Sequence, residues 1–571
     1  MLEKYDRLVI LQTEAQAIHY SINSRKHGDL ILGIGSEAMY YAESRHWNFC
    51  FLSDFFDSEH YQQSQRESER RIEHAIYLLD EWSAVNGLEM GKYYGFQLWI
   101  IIGQIHYNYF LVESIARNIG NKPILIYSKK REESIMELRP DPERIFFDVF
   151  FKSKLLERPD TEIVLINEKR KFFSVKDRVL NILPSALIEV LRFIRDRKLL
   201  PRCTNKLQQN LLLIGGGYDW FKVAVLPKFS KEFCIHKIAP YVGWGLAGRQ
   251  DKKLLKILDD AVTFDDVKVY EVKKLKSAIQ KDKCFFTKEK ERIQSLIQRY
   301  KAVVTGVLTY PRDLFHADMA AKVGKKIYVW QHGEKGQSKD YSSLFTELYY
   351  ATDYLAYAPM VTSQYHELIG SFRLERVHTI GSISKKIESF VDGGSILYAT
   401  GKWFGTATPF LEPPDPDRRL FCAHMKILGY LNSIGSGKRV IFKANNTPGF
   451  NLLPYQYENI DIEYKVTFIE LLRTASVVIL DTPATTLVEA CSTKVPVFVL
   501  GGRSEYLPEF MRAVRQRVAW YETPEDLVDG LSEYFATGVY NADVNNDLYL
   551  KGFCASAGSD EVCNNILRAL N

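Results

Sequence analysis

The stretch VVILDTPATTLVEACSTKVPVFVLGG, residues 477–502, decides the fold class. An apolar run, Val477 to Leu480, ends in Asp481. A short turn follows, Thr482-Pro483-Ala484, and then a helical pattern from Thr485 that carries Glu489. A second apolar run, 495–500, closes the unit. Two short runs without polar alternation are strands buried on both faces, and a helix between them makes the pair parallel. This is one βαβ step of an α/β sheet.

The same grammar extends in both directions. Downstream of residue 385 the strands are SILYATG (395–401), RVIFKAN (439–445), 477–482 and 495–501, with helices over 417–434, 467–475, 485–493 and 505–515. Thr523 with Asp526 three residues on predicts a capped helix over 522–535. Upstream, strands are expected at 8–13, 29–35, 48–54, 123–128, 162–167, 210–217, 302–307 and 326–333. Helices fit 64–83, 96–117, 184–198 and 286–300. Strands alternating with helices predict parallel α/β layers. A chain of 571 residues exceeds one core, so two domains are expected, 1–384 and 385–571. The loop 406–419, with four prolines, reads as a surface excursion inside the second.

In such sheets ligands sit beyond the carboxyl ends of the strands. Four strand ends here are rich in polar groups and glycine. After Asp481, the hydroxyls of Thr482, Thr485 and Thr486 and the free N–H groups of a helix start form an anion site, with Glu489 one turn on to meet a ribose. An ordinary capped helix is the alternative. In ILYATGKWFG (396–405), Gly401 admits a close ligand and Lys402 supplies charge. In VIFKANNTPGF (440–450), Lys443, Asn445 and Asn446 supply donors. In YVWQHGEKGQ (328–337), His332 and Gly333 end a strand. Parallel packing would gather these loops at one cleft suited to a nucleotide-linked sugar.

The pieces QHG (331–333), LYATGKW (397–403), DTPATTLVEA (481–490) with KVPVFVLGG (494–502), and KGFCASAGSDEVCNNILRAL (551–570) together resemble GT-B glycosyltransferases. They are most similar to bacterial capsule polysaccharide biosynthesis proteins and to Kdo-transferase-like and teichoic-acid-polymerase-like enzymes. The resemblance covers roughly residues 300–571. It departs at Ala444-Asn445, where many relatives carry His-Pro, so a phosphate-binding histidine does not transfer.

The resemblance implies two Rossmann-like domains facing each other across a cleft, with the donor on the carboxyl-terminal side. It implies transfer of a sugar from a nucleotide-sugar to a glycan or lipid-linked glycan of the bacterial surface, a capsule or lipopolysaccharide, with a CMP-linked acidic sugar placed first. No metal and no cofactor are expected: Lys402, Lys443, Thr485 and Thr486 would balance the departing phosphate, and His332 would position the donor. Asp54, Asp219 and Asp313 are the candidate acceptor bases. The tyrosine runs 39–44, 92–96 and 348–357 are candidates for an acceptor groove.

Composition excludes some classes. With 75 basic and 70 acidic side chains the net charge is +5, too balanced for a nucleic-acid-binding protein. Eight scattered cysteines without CxxC spacing read as reduced thiols and a cytoplasmic protein. The apolar window 96–116 holds Gln97, Gln104, His106, Asn108 and Glu113, which suit a buried helix better than a membrane span. A lipid-linked acceptor would still bring the protein to the inner membrane surface. Three alternatives stay open. GIGSEA (33–38), with Asp54 after the next strand, outlines a dinucleotide fingerprint and an NAD-linked oxidoreductase. A sugar-nucleotide 2-epimerase and a non-catalytic scaffold of polysaccharide assembly are the others.

Overall fold

The structure is a computed structural model. It describes residues 4–55, 58–129, 142–150, 160–166, 194–195, 197–200, 208–238, 251–262, 270–333, 347–383, 394–401, 403–406, 416–434, 437–444, 457–501, 506–555 and 558–571. Its strands form three parallel sheets.

The first sheet holds β1 (Arg7–Leu11), β2 (Asp29–Gly33), β3 (Phe49–Cys50), β4 (Ile124–Lys129) and β5 (Thr161–Ile166), in the order β3-β2-β1-β4-β5. The second holds β6 (Gln209–Leu213), β7 (Phe233–Lys237), β8 (Ala302–Thr305), β9 (Ile327–Trp330), β10 (Asp353–Ala356) and β11 (Arg376–Thr379), in the order β11-β10-β9-β8-β6-β7. The third holds β12 (Ser395–Ala399), β13 (Val440–Lys443), β14 (Ile460–Glu463), β15 (Ala475–Leu480), β16 (Val497–Leu500) and β17 (Ala519–Tyr521), in the order β14-β13-β12-β15-β16-β17. Strand order reverses between β1 and β4, between β6 and β8, and between β12 and β15. These are the three switch points at which a doubly wound sheet offers a crevice.

The α/β class and parallel sheets are as the sequence predicts. The central strands β1 and β15 are largely buried runs of Val, Ile and Leu, and β12, Ser-Ile-Leu-Tyr-Ala, is buried throughout. Residues 1–384 carry two sheets in place of one. The strands that sequence reading passed over, β7, β10, β11, β14 and β17, are three to five residues long and lie at or next to sheet edges. Their apolar runs are too short to stand out against the loops around them.

The Met90–Ile119 helix is buried along most of its length. Several of its polar groups bond other parts of the protein, while Gln97 Oε1 and Asn108 Oδ1 are buried without a hydrogen-bond partner. Gln97 Nε2 donates to Thr309 O at 2.6 Å, Gln104 Nε2 and Asn108 Nδ2 donate to Thr406 O, and His106 bonds Ser68 Oγ and Ala261 O. Among the described residues no helix is long and apolar enough to cross a membrane. This helix and its neighbours share one apolar core with the facing sides of the first and second sheets. The Ser559–Leu570 helix returns from the third sheet to pack on the second, where Val562, Cys563 and Ile566 meet Leu211, Trp220 and Trp330.

Two expectations change. Cys234 is disulfide-bonded, so the thiols are not all reduced, while Cys50, Cys284, Cys422, Cys491, Cys554 and Cys563 are free. Most of the proposed acceptor tyrosines are core: Tyr40, Tyr93, Tyr94, Tyr350 and Tyr354 are buried, while Tyr41, Tyr349 and Tyr357 are half-buried. Thr406, at the head of the expected surface loop, is buried as well.

Candidate functional site

The third sheet brings Gly401, Asp481 and Thr482 together at its switch point. β12 and β15 are adjacent, with Ala399 opposite Leu480. The next residues, Thr400-Gly401 and Asp481-Thr482, leave the sheet side by side. Asp481 is buried, 1% exposed, and its carboxylate is a hub. Oδ1 accepts from the Gly401 amide at 2.7 Å and from Thr482 Oγ1 at 3.1 Å. Oδ2 accepts from Tyr398 Oη at 2.9 Å and from His424 Nε2 at 3.1 Å. A carboxylate bonded in this way holds the turn after β12.

Lys443 ends β13, one strand from β12. Its Nζ donates to the carbonyls of Ala444 and Tyr464, at 3.0 and 3.3 Å, and burial lowers its pKa. Thr485 and Thr486 start the Thr485–Cys491 helix. The N-cap is Ala484 and makes no side-chain cap bond, so neither threonine is the cap. Thr485 is exposed and Thr486 half-buried. Glu489 is half-buried on the same helix, and desolvation pushes its pKa up to about 7. A carboxyl held near neutrality beside a strand end is the perturbed titration that ligand sites favour. Lys402, Asn445 and Asn446 lie outside the described residues.

The other candidates form a separate group on the second sheet. Gln331 follows β9 and is buried. It ties the strand end together: Oε1 accepts from Tyr357 N at 2.8 Å and Nε2 donates to Gly333 O at 3.0 Å. This fixes the turn and leaves His332 exposed. Asp219 accepts from Lys222 Nζ at 2.8 Å and from Tyr357 Oη at 3.0 Å. Asp313, in the first turn of the Pro311–Lys322 helix, stands against Gly215, at the switch point of β6 and β8.

Asp54 has a structural task. It accepts from Phe51 N at 2.8 Å and pairs with Arg418 at 2.6 Å, which clamps the first sheet to the Pro416–Ser433 helix. The GIGSEA turn serves the same docking. A side chain at Gly35 would meet Gln12 O at 2.1 Å, and one at Gly405 would meet Ile34 O at 2.6 Å. Gly405 also holds φ +56°, which glycine adopts without strain. The 403–406 segment is therefore seated on the turn where a dinucleotide would lie. Around it Met39, Tyr40, Phe51, Trp403, Leu420 and Phe421 make an apolar seam.

His424 is the residue that sequence reading missed. It lies inside a helix, fully buried, with no motif around it. Its role shows only in contacts: Nδ1 meets Tyr40 Oη at 2.5 Å, while Nε2 meets Thr400 Oγ1 at 2.7 Å and Asp481.

No protein-family model matches the sequence, and no curated protein does. Among solved structures the chain is similar to a Rickettsia africae glycosyltransferase, at 10% identity and TM-score 0.37, over 64% of this chain and 98% of that one. A Medicago truncatula UGT complexed with UDP-glucose aligns at 8% identity and TM-score 0.36, over 64% and 98%. Staphylococcus aureus TarM, solved with UDP, aligns at 10% identity and TM-score 0.33, over 50% of this chain. The chain spans 59% of the TarM chain it matches. Scores at this level transfer no activity.

Proposed function

We propose that this chain is a glycosyltransferase of GT-B type that holds a nucleotide-sugar at the carboxyl ends of β12, β13 and β15. The observation that carries the reading is the switch-point cluster. Gly401 is pinned by Asp481, Lys443 sits one strand away, and Glu489 rises to about 7 on the helix after β15. A ribose diol suits Glu489. Lys443, with Lys402 and the Thr485 and Thr486 hydroxyls, suits the phosphates. In this chemistry the anomeric carbon–oxygen bond to the nucleotide breaks and a bond to the acceptor hydroxyl forms. The nucleotide leaves with the electron pair, and a base takes the acceptor proton.

The acceptor side falls to the second sheet, where His332 follows β9 and Asp313 opens the Pro311–Lys322 helix. Asp54, Asp219 and Asp313 remain the candidate bases; Asp219 is bound to Lys222 and Tyr357, and Asp54 is paired with Arg418. The acceptor is read as a glycan or lipid-linked glycan of a bacterial surface, and the donor as a CMP-, CDP-, UDP- or TDP-linked sugar with the CMP-linked acidic sugars first. Work at the inner membrane face belongs to the same proposal. The packed GIGSEA turn weighs against the oxidoreductase reading.

The test is nucleotide release from a panel of CMP-, CDP-, UDP-, GDP- and TDP-sugars with a surface-glycan acceptor extract, in the presence of EDTA. The proposal expects release from one donor class, lost in Glu489→Ala. Turnover of none, or a redox change of added NAD, would count against it.

A further inference from the structure

The chain Tyr40–His424–Asp481–Gly401 runs from the first sheet to the nucleotide loop without meeting water. Tyr40 is on the helix that follows the GIG turn, His424 on the Pro416–Ser433 helix, and Asp481 at the end of β15. Tyr40, His424 and Asp481 are 3%, 0% and 1% exposed. Their surroundings are aromatic: Phe421 lies 5.1 Å from the Tyr40 ring and Phe442 lies 5.3 Å from the His424 ring. An apolar filling of similar volume would be at least as stable there, and a buried polar set is the costlier choice unless it fixes a geometry.

The hydrogen bonds define that geometry. Asp481 only accepts, so Nε2 of His424 carries the proton that points to it. Nδ1 is then left to accept from the Tyr40 hydroxyl, which burial keeps protonated. Nε2 also reaches Thr400 Oγ1, so one imidazole touches both strand ends of the switch point. Asp481 passes the constraint to the Gly401 amide.

We infer that Tyr40 and His424 are positioning residues of the nucleotide site. Docking of the first sheet, through Tyr40, orients His424; His424 orients Asp481; and Asp481 sets the turn after β12. The first sheet thus acts on the donor loop without touching the donor. The part that concerns the donor rests on the proposed function.

The experiment uses the full chain and four variants: Tyr40→Phe, His424→Gln, His424→Ala and, as a control on the apolar seam alone, Phe421→Leu. Two readouts separate the claims. Hydrogen–deuterium exchange at Gly401, against the amides of Leu397–Ala399, reports the relay with no nucleotide present. Calorimetric titration with CMP, CDP, UDP and TDP reports its effect on binding. Loss of one net hydrogen bond should speed Gly401 exchange about fivefold in Tyr40→Phe and weaken nucleotide binding by about the same factor. His424→Ala should exceed this, and His424→Gln, which keeps an N–H for Asp481, should recover much of it. Phe421→Leu should lower the melting temperature and leave Gly401 exchange unchanged. Unchanged Gly401 exchange in Tyr40→Phe and in His424→Ala would overturn the relay. Normal relay behaviour with no binding of any nucleotide to the wild type would leave the relay standing and remove the donor reading instead.

Discussion

Replacing Glu489 with Gln should stabilise the protein above neutrality and do little at acid pH. Burial raises this carboxyl from 4.5 to about 7, so the folded state holds a proton that the unfolded chain has released. Below about 4.5 the group is neutral in both states and Glu behaves as Gln. As pH rises from there through about 7 the folded state loses stability, because an ion must be held in a desolvated place. Moving a carboxyl over this range corresponds to at most about 3 kcal/mol. Glu489 is only half-buried, and solvent screening reduces the figure to about 1–2 kcal/mol. For a unit of the third sheet's size this is about 2–6 °C in melting temperature. The assay is thermal unfolding of wild type and Glu489→Gln at pH 5 and pH 8. The variant should melt higher at pH 8, and only about a quarter as much higher at pH 5, where the unfolded carboxyl is already part-ionised. An equal gain at both pH values, or none at pH 8, would refute the reasoning. Under the proposed function there is a corollary. Ribose hydroxyls bind the ionised form better, so wild-type affinity for nucleotide should rise from pH 6 to pH 8 while the Gln variant stays flat.

Three further outcomes are expected. Gly405→Ala puts a methyl 2.6 Å from Ile34 O at φ +56°, so it should loosen the first sheet from the third; faster proteolysis of the 403–406 segment, with a loss of at least about 1 kcal/mol, is the measure. Leu487→Ala empties a fully buried position under the 485–491 helix and should cost about 2–5 kcal/mol by denaturant midpoint, with weaker nucleotide binding. His106 is buried and its pKa is pushed down to about 4, so the folded state keeps it neutral. Stability should therefore fall as pH drops from 6.5 toward 4, and His106→Gln should flatten that part of the curve in acid titration followed by fluorescence.

The sequence carried the fold where burial is one-sided in composition and two-sided in space. Runs such as LVIL at 8–11 and VVIL at 477–480 contain nothing but core residues, and they are the central strands. The edge strands β11 and β14 mix exposed and buried positions over four residues and lack that signature. The division of residues 1–384 into two sheets was also hidden, because parallel pairing is set by which helix packs on which face. The burial of most of the tyrosines in the runs was hidden for a related reason. Tyr93, Tyr94 and Tyr354 each bury a ring and find a carboxylate for the hydroxyl, in Asp318, Asp282 and Glu347, so abundance gave no clue to exposure.

The site divides in the same way. That Gly401 and Asp481 follow strands, and that Glu489 lies on the helix after the second, was legible from the apolar runs before them. The task of Asp481 was not, because its partners Tyr398 and His424 are 83 and 57 residues away. Tyr40 and His424 are 384 residues apart, and no local pattern marks either.

The central claim is that a nucleotide binds at the ends of β12 and β15. The most direct test is calorimetric titration of the wild type, Thr486→Ala and Glu489→Ala with CMP, CDP, UDP, TDP, GDP and NAD. The account predicts saturable binding of one pyrimidine nucleotide, weakened in both variants. Binding of NAD alone, unchanged in both variants, would contradict it.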